Sequence, residues 1–107
     1  MMEGFPSGRG LQQRATTANG ASSNHLGQNV PNPCLGRTTI DYTLTPQVRR
    51  AELFIRRGTD GSLMQQLPLP AGSTTQELDV RSYPPGVYFY TLLVDGLPCD
   101  TKRLLVR

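Results

Sequence analysis

One histidine and two cysteines are all the imidazole and thiol that these 107 residues offer to metal or nucleophilic chemistry. A structural metal site needs three or four ligands converging on one point. His25 falls in a stretch that reads as a tail, so no Ser–His or Cys–His pair can be set on a rigid scaffold. The carboxylates are scattered. Asp60 and Asp95 stand in Asp-Gly turns, Asp41, Glu52 and Glu77 on the solvent sides of strands, and Asp79 and Asp100 near strand ends. Calcium would need six or more oxygens gathered from such turns, which this spread does not favour. Gly58 and Gly61 lie in a hairpin and not between a strand and a helix, so they are no phosphate loop. The expectation is a protein without catalysis, metal, cofactor or small-molecule substrate.

Long apolar runs are also missing. No stretch is long or apolar enough to span a membrane, and residues 1–10 hold no apolar region of the kind a secretory signal peptide requires. The apolar share is 36%, against about 45–50% in ordinary globular domains. The deficit is concentrated in residues 1–25, where Gly, Ser, Thr, Asn and Gln dominate. Such a segment cannot offset its ordering entropy by burial. It reads as a flexible, disordered tail or linker, with a transient helical turn at Leu11–Ala15 and with Thr16–His25 accessible to a protease.

Charge is modest. Ten arginines and one lysine give a net +3. The densest spots, Arg49-Arg50 and Arg56-Arg57, flank one apolar strand and form no basic stripe of the kind nucleic acid demands. They read as solvated strand ends that deter edge pairing, and no nucleic-acid partner is expected. Cys34 and Cys99 could pair in an exported protein, but spacing does not establish a bridge. Both are expected to act as small, mostly buried apolar residues.

From Leu26 onward the pattern is that of strands. Leu26–Val30 is read as the first. Val30-Pro31-Asn32-Pro33 is a rigid extended or turn segment, because each proline fixes its own φ and restricts its predecessor. Thr38–Leu44 alternates, with Ile40, Tyr42 and Leu44 on one face. Ala51–Arg56 alternates likewise, with Ala51, Leu53 and Ile55 opposed to Glu52, Phe54 and Arg56. Leu63–Leu67 returns after Asp60-Gly61 as a hairpin partner. Thr75–Val80 is shorter. Tyr83-Pro84-Pro85-Gly86 marks a turn. Val87–Val94 is continuously apolar and reads as a central strand buried on both faces. Asp95-Gly96 turns the chain into the last strand, Thr101–Val106. Tyr42, Phe54, Tyr88, Phe89 and Tyr90 are expected mainly in core packing and cross-strand pairs. About seven short strands with turns every ~8–12 residues imply an antiparallel β-sandwich.

Several of these pieces, in this order, resemble one family. Leu26-Gly27-Gln28-Asn29-Val30-Pro31-Asn32-Pro33, then Thr39-Ile40-x-Tyr42-x-Leu44, is similar to the opening of the type A C-terminal sorting domain of the type IX secretion system. Ala51-x-Leu53-x-Ile55 resembles that family's second hairpin, Gly86-Val87-Tyr88-Phe89-Tyr90 its Gly-Val-Tyr-Phe-Tyr strand, and Asp100–Val106 its terminal strand. The resemblance covers residues 26–107 and implies an immunoglobulin-like sandwich. Cys34 stands where the family has a phenylalanine, so its neighbours are expected to repack.

What the resemblance implies is a non-catalytic address label. Cargo crosses the inner membrane, the folded domain is recognised by the outer-membrane translocon, and the product reaches the cell surface or the medium. A sortase that cuts upstream of the domain is a second implied partner, and the domain itself is expected to be monomeric. Pro31, Asn32, Pro33, Gly86, Val87, Tyr88, Lys102 and Arg103 are the candidate recognition residues, with Lys102 and Arg103 on the docking surface. A sorting domain follows a signal peptide and a large cargo, neither of which is seen in this sequence, and whether the chain is a fragment or a partial reading frame stays open. Two rival readings remain at this stage: a β-sandwich that binds carbohydrate or protein, and a structural terminal module of a surface protein.

Overall fold

The structure, a computed structural model, describes residues 24–107. The tail read at residues 1–25 and the helical turn at Leu11–Ala15 lie outside the described residues, except for Asn24 and His25. His25 opens the first strand. Eight strands follow one another: β1 His25–Leu26, β2 Val30–Leu35, β3 Arg37–Thr43, β4 Ala51–Arg57, β5 Leu63–Pro68, β6 Thr75–Asp79, β7 Gly86–Val94 and β8 Leu97–Val106. β3 sits between β6 on one side and β1 and the two ends of β2 on the other. The second sheet runs β2-β8-β7-β4-β5. All pairings are antiparallel except β2 with β8, which meet in parallel at Cys34 and Val106. β2 therefore belongs to both sheets and ties them together. The result is the antiparallel sandwich that the strand pattern implied, in the immunoglobulin-like form that the resemblance implied.

Alternation explains the layers. β3 reads exposed-buried throughout, and Thr38, Ile40 and Tyr42 point inward. β4 turns Ala51, Leu53 and Ile55 inward. They meet Leu26, Cys34, Leu78, Tyr88, Tyr90, Leu92 and Leu104, all at most 2% exposed. Each such Leu or Ile contributes about 1.5–3 kcal/mol by leaving water.

The first expected strand, Leu26–Val30, is replaced by two shorter pieces. The chain leaves β1 at Gly27, whose N–H donates to Asp41 O at 2.8 Å. Asn29 is then fully buried, and its N–H donates to the Tyr90 hydroxyl (2.8 Å), not to a strand. The same hydroxyl donates to Gly27 O at 2.8 Å. The Asn29 amide donates to Pro31 O and Thr38 Oγ1, both at 3.0 Å, and Thr38 Oγ1 donates to Pro31 O at 2.9 Å. The buried polar groups of Asn29, Thr38 and Tyr90 are thus paired, as low dielectric demands, whereas the buried Tyr42 hydroxyl has no partner among the described residues.

The Pro31–Pro33 segment, read as an extended or turn piece, lies within β2. Both X-Pro bonds are cis. Two prolines remove two ladder donors, so β2 pairs sparsely with β3, at Val30–Thr39 and Leu35–Arg37. A side chain makes up part of the loss: Asn32 Oδ1 accepts the Leu105 N–H at 2.9 Å.

Three further differences have local causes. β7 is not buried on both faces. Tyr88, Tyr90 and Leu92 point inward, whereas Val87 and Phe89 are 39% and 40% exposed, because nothing covers the outer face of this sheet among the described residues. β8 begins at Leu97, four residues early. Leu93 opposes Pro98 and Leu92 opposes Asp100, so Cys99 is the extra residue of a bulge. The bulge turns Cys99 outward, and it is exposed where burial was expected; Cys34 is fully buried, and both thiols are free. Finally, Arg56-Arg57 does not guard an edge. β4 lies between β5 and β7, and the edge strands among the described residues are β1, β5 and β6.

Two outcomes are expected. Ellman's reagent should titrate one thiol in the folded protein and two in guanidinium, with Cys99→Ser abolishing the native reaction. Burial holds the Tyr83 and Tyr90 hydroxyls up at about 12; Tyr88 adds to the first, and Asp100 adds to the second against the Asn29 N–H. Unfolded tyrosine ionises near ~10, so the folded state holds more protons between those limits. Stability should be complete below about pH 10 and fall as pH rises towards ~12, read as the urea midpoint against pH. Tyr90→Phe should flatten that fall and, by orphaning the Asn29 N–H, cost about 1–3 kcal/mol at neutral pH.

Candidate docking face

The strand register decides which of the candidate recognition residues meet. Val106 of β8 lies between Cys34 of β2 and Gly86 of β7. In the next row, Leu105 lies between Asn32, which holds its N–H, and Val87. The Pro31-Asn32-Pro33 and Gly86-Val87-Tyr88 motifs, far apart in sequence, thus flank the same end of β8. Further bonds close this junction: Arg107 N–H donates to Cys34 O at 3.0 Å and Cys34 Sγ to Leu105 O at 3.4 Å. Pro31, Asn32, Pro33 and Val87 are exposed. Gly86 has φ +154, a conformation that L side chains rarely adopt. Tyr88 faces the core, packs on Tyr83 with ring centroids 5.0 Å apart, and donates to Pro84 O.

Lys102 and Arg103 lie on opposite faces of β8. Lys102 shares the inward parity of Leu104 and Val106, is half-buried, and stands 4.0 Å from Asp100. Arg103 faces solvent directly opposite Phe89.

Arg103 is one end of a row that sequence reading left unassembled. Phe89 pairs with Arg103 on one side and with Arg56 on the other. One row along, Phe54 opposes Thr91, which opposes Thr101 and shares a 2.8 Å hydroxyl bond with it. Arg56 Cζ lies 5.7 Å from the Phe54 ring centroid, a cation–π distance worth about 0.5–1 kcal/mol at an exposed site. Gly58 fixes the far side of Phe89. Its N–H donates to Val87 O at 2.8 Å, and a Cβ there would lie 2.7 Å from Val87 O and 3.3 Å from Phe89 Cε2. The signal that could have exposed this face was the parity of β7, where Val87, Phe89 and Thr91 alternate with Tyr88, Tyr90 and Leu92.

Such a face offers guanidinium groups and aromatic edges to a partner surface. It carries no acid–base pair. Among the described residues no three His, Cys, Asp or Glu side chains converge as metal ligands. The strongly shifted groups have structural explanations. Hydrogen bonds from Arg81 hold Asp79 down to about 2, and burial raises the two tyrosines.

Comparison with known proteins bears on the same span. A family model described as the secretion system C-terminal sorting domain matches residues 30–107, from the first residue of β2 through β8. Among solved structures, dimeric latent PorU from Porphyromonas gingivalis is similar, with 18% identity, a TM-score of 0.63, and coverage of 86% of this chain and 10% of that one. The chain thus spans a small part of that protein's length, and at this identity the likeness bears on the sandwich fold. No curated protein matches the chain. The matched span contains both motifs that flank β8 and the strand between them, and the chain belongs to the secretion system C-terminal sorting domain family, whose domain is a type IX secretion signal that sends the protein bearing it to the cell surface or beyond.

Proposed function

We propose that this domain is a non-catalytic address label that the outer-membrane translocon of the type IX system reads as a folded object. The family match over residues 30–107 carries this reading. The burial pattern supports it: the groups with the strongest chemistry are engaged in holding the fold, and the open sheet face presents binding chemistry only. In this role Pro31, Asn32 and Pro33 hold β8 from one side, and Gly86, Val87 and Tyr88 hold it from the other. Arg103 faces the translocon, and Lys102 marks the rim where β8 leaves the core. A sortase that cuts before β1 would release the mature cargo from the label. The label works as a monomer, because its edge strands among the described residues, β1, β5 and β6, are short, and the latter two are bounded by Pro68 and Pro70 or by the charged pair Asp79–Arg81.

The test is export. A signal peptide, a periplasm-stable reporter and the full 107-residue chain are fused in a bacterium with a type IX system. The reporter should appear on the cell surface or in the medium. Deletion of residues 102–107, which removes the Leu104 and Val106 anchors, should leave it in the periplasm. Retention of the reporter bearing the full chain would overturn the sorting role.

A further inference from the structure

The sheet face outside the core is open, and its charges are unusually placed. Arg37, Arg50, Arg57, Arg81 and Lys102 each lie within 4.0 Å of a carboxylate. Arg56 and Arg103, which bracket Phe89, have no such partner among the described residues, and neither have Arg49 and Arg107 near the strand ends. The one carboxylate of β4 on this face, Glu52, is four residues from Arg56, about 13 Å along the strand, and is engaged with Gln66 Nε2 at 2.9 Å and Arg50 at 3.8 Å. The two arginines therefore leave the sheet about 10 Å apart, two strand spacings, with a half-exposed phenyl ring between them; neither guanidinium meets a carboxylate, and that of Arg56 rests against Gly61 O at 3.3 Å and the Phe54 ring. Val87 and the half-buried Leu105 extend the apolar ground on one side, Phe54 and Leu93 on the other. A side chain at position 58 would crowd the Phe89 ring, since a Cβ there would lie 3.3 Å from Phe89 Cε2.

We infer that the Arg56–Phe89–Arg103 row docks an acidic, partly apolar protein surface of the secretion machinery, an inference that rests on the sorting role proposed above. Charge complementarity selects the occupant. Residues 1–23 carry one carboxylate, Glu3, against Arg9 and Arg14, and so offer no acidic strip. A second copy would bring the same arginines towards each other. Nucleic acid and anionic lipid call for a denser basic field than two guanidiniums parted by a ring. Arginine around a partly buried aromatic is instead the composition of protein–protein interface centres. The fitting partner presents two carboxylates about 10 Å apart with an apolar side chain between them.

The experiment measures binding of the full 107-residue chain to the purified outer-membrane translocon. Vesicles of 70:30 phosphatidylcholine and phosphatidylglycerol serve as a second probe. Arg56→Glu/Arg103→Glu should weaken translocon binding by at least about tenfold, and the wild-type affinity should fall with added salt. Arg37→Glu/Arg49→Glu, with the same change in net charge away from this face, should stay within about twofold of wild type. Thermal melts confirm folding. Should the reversed pair not fold, Arg56→Gln/Arg103→Gln replaces it, with the same direction expected. If the wild-type chain binds the translocon and the reversed pair binds equally well, the docking inference falls and the sorting role stands. If the wild-type chain fails both to bind the translocon and to export a reporter, both fall. Wild-type binding to vesicles that the reversed pair loses, with translocon binding unchanged, would assign the row to lipid and overturn the protein partner.

Discussion

The fold depends on how the end of β8 is held. β8 has β7 along one side for its whole length and only a proline-broken strand, β2, along the other. A strand with two prolines makes a poor ladder partner. The remedy is a side chain: Asn32 takes the Leu105 N–H, and Cys34 receives the Arg107 N–H on its carbonyl. Each bond contributes about 0.5–1.5 kcal/mol net, but their position gives them more weight. They tie β8 to β2, and the pairs of β2 with β3 carry the link into the opposite sheet. Upstream, the Tyr90 hydroxyl bridges Gly27 and Asn29 and draws the chain that leads into β2 against β7. The sandwich is thus closed by polar contacts at its seam and filled by apolar ones at its centre.

That seam explains which parts were legible in the sequence. β3 and β4 announced themselves because their alternation is local, and the Asp95-Gly96 turn did so because its positive φ values, 50 and 85, suit those two residues. β2 did not, because prolines argue against a strand, and the compensating contact reaches from Asn32 to Leu105. The start of β8 was hidden by Pro98 and by the bulge at Cys99, which breaks the alternation. β7 misled in another way. Its unbroken apolarity suggested burial on both sides, whereas Val87 and Phe89 face outward onto an open surface. The candidate residues lie on β2, β7 and β8, and register brings the two motifs to one end of β8. That the structure parts Lys102 from Arg103, and joins Arg103 to Phe89 and Arg56, follows from register between three strands, which no single stretch of sequence encodes.

The chemistry of the open face suits a label better than a catalyst. Side chains with shifted proton affinity, such as Tyr90 and Asp79, are bound up in hydrogen bonds that hold the fold. The free groups are guanidiniums and aromatic edges, which recognise surfaces. Two kinds of information coexist in the domain: a closed seam that exists only in the folded state, and a surface row assembled from β4, β7 and β8. Both depend on the whole sandwich, including strands such as β4 that lie far from β8 in sequence.

The central claim is that the signal is the folded sandwich and not the last residues as a linear tag. It is tested by export of a reporter carrying the chain with Leu53→Ala or Leu78→Ala, two core truncations that leave residues 86–107 untouched. Each should cost about 2–5 kcal/mol, enough to unfold much of a small domain. A folded signal is expected to lose export in proportion to the folded fraction measured by circular dichroism. Full export from a variant that is unfolded, with its last strand sequence intact, would contradict the claim.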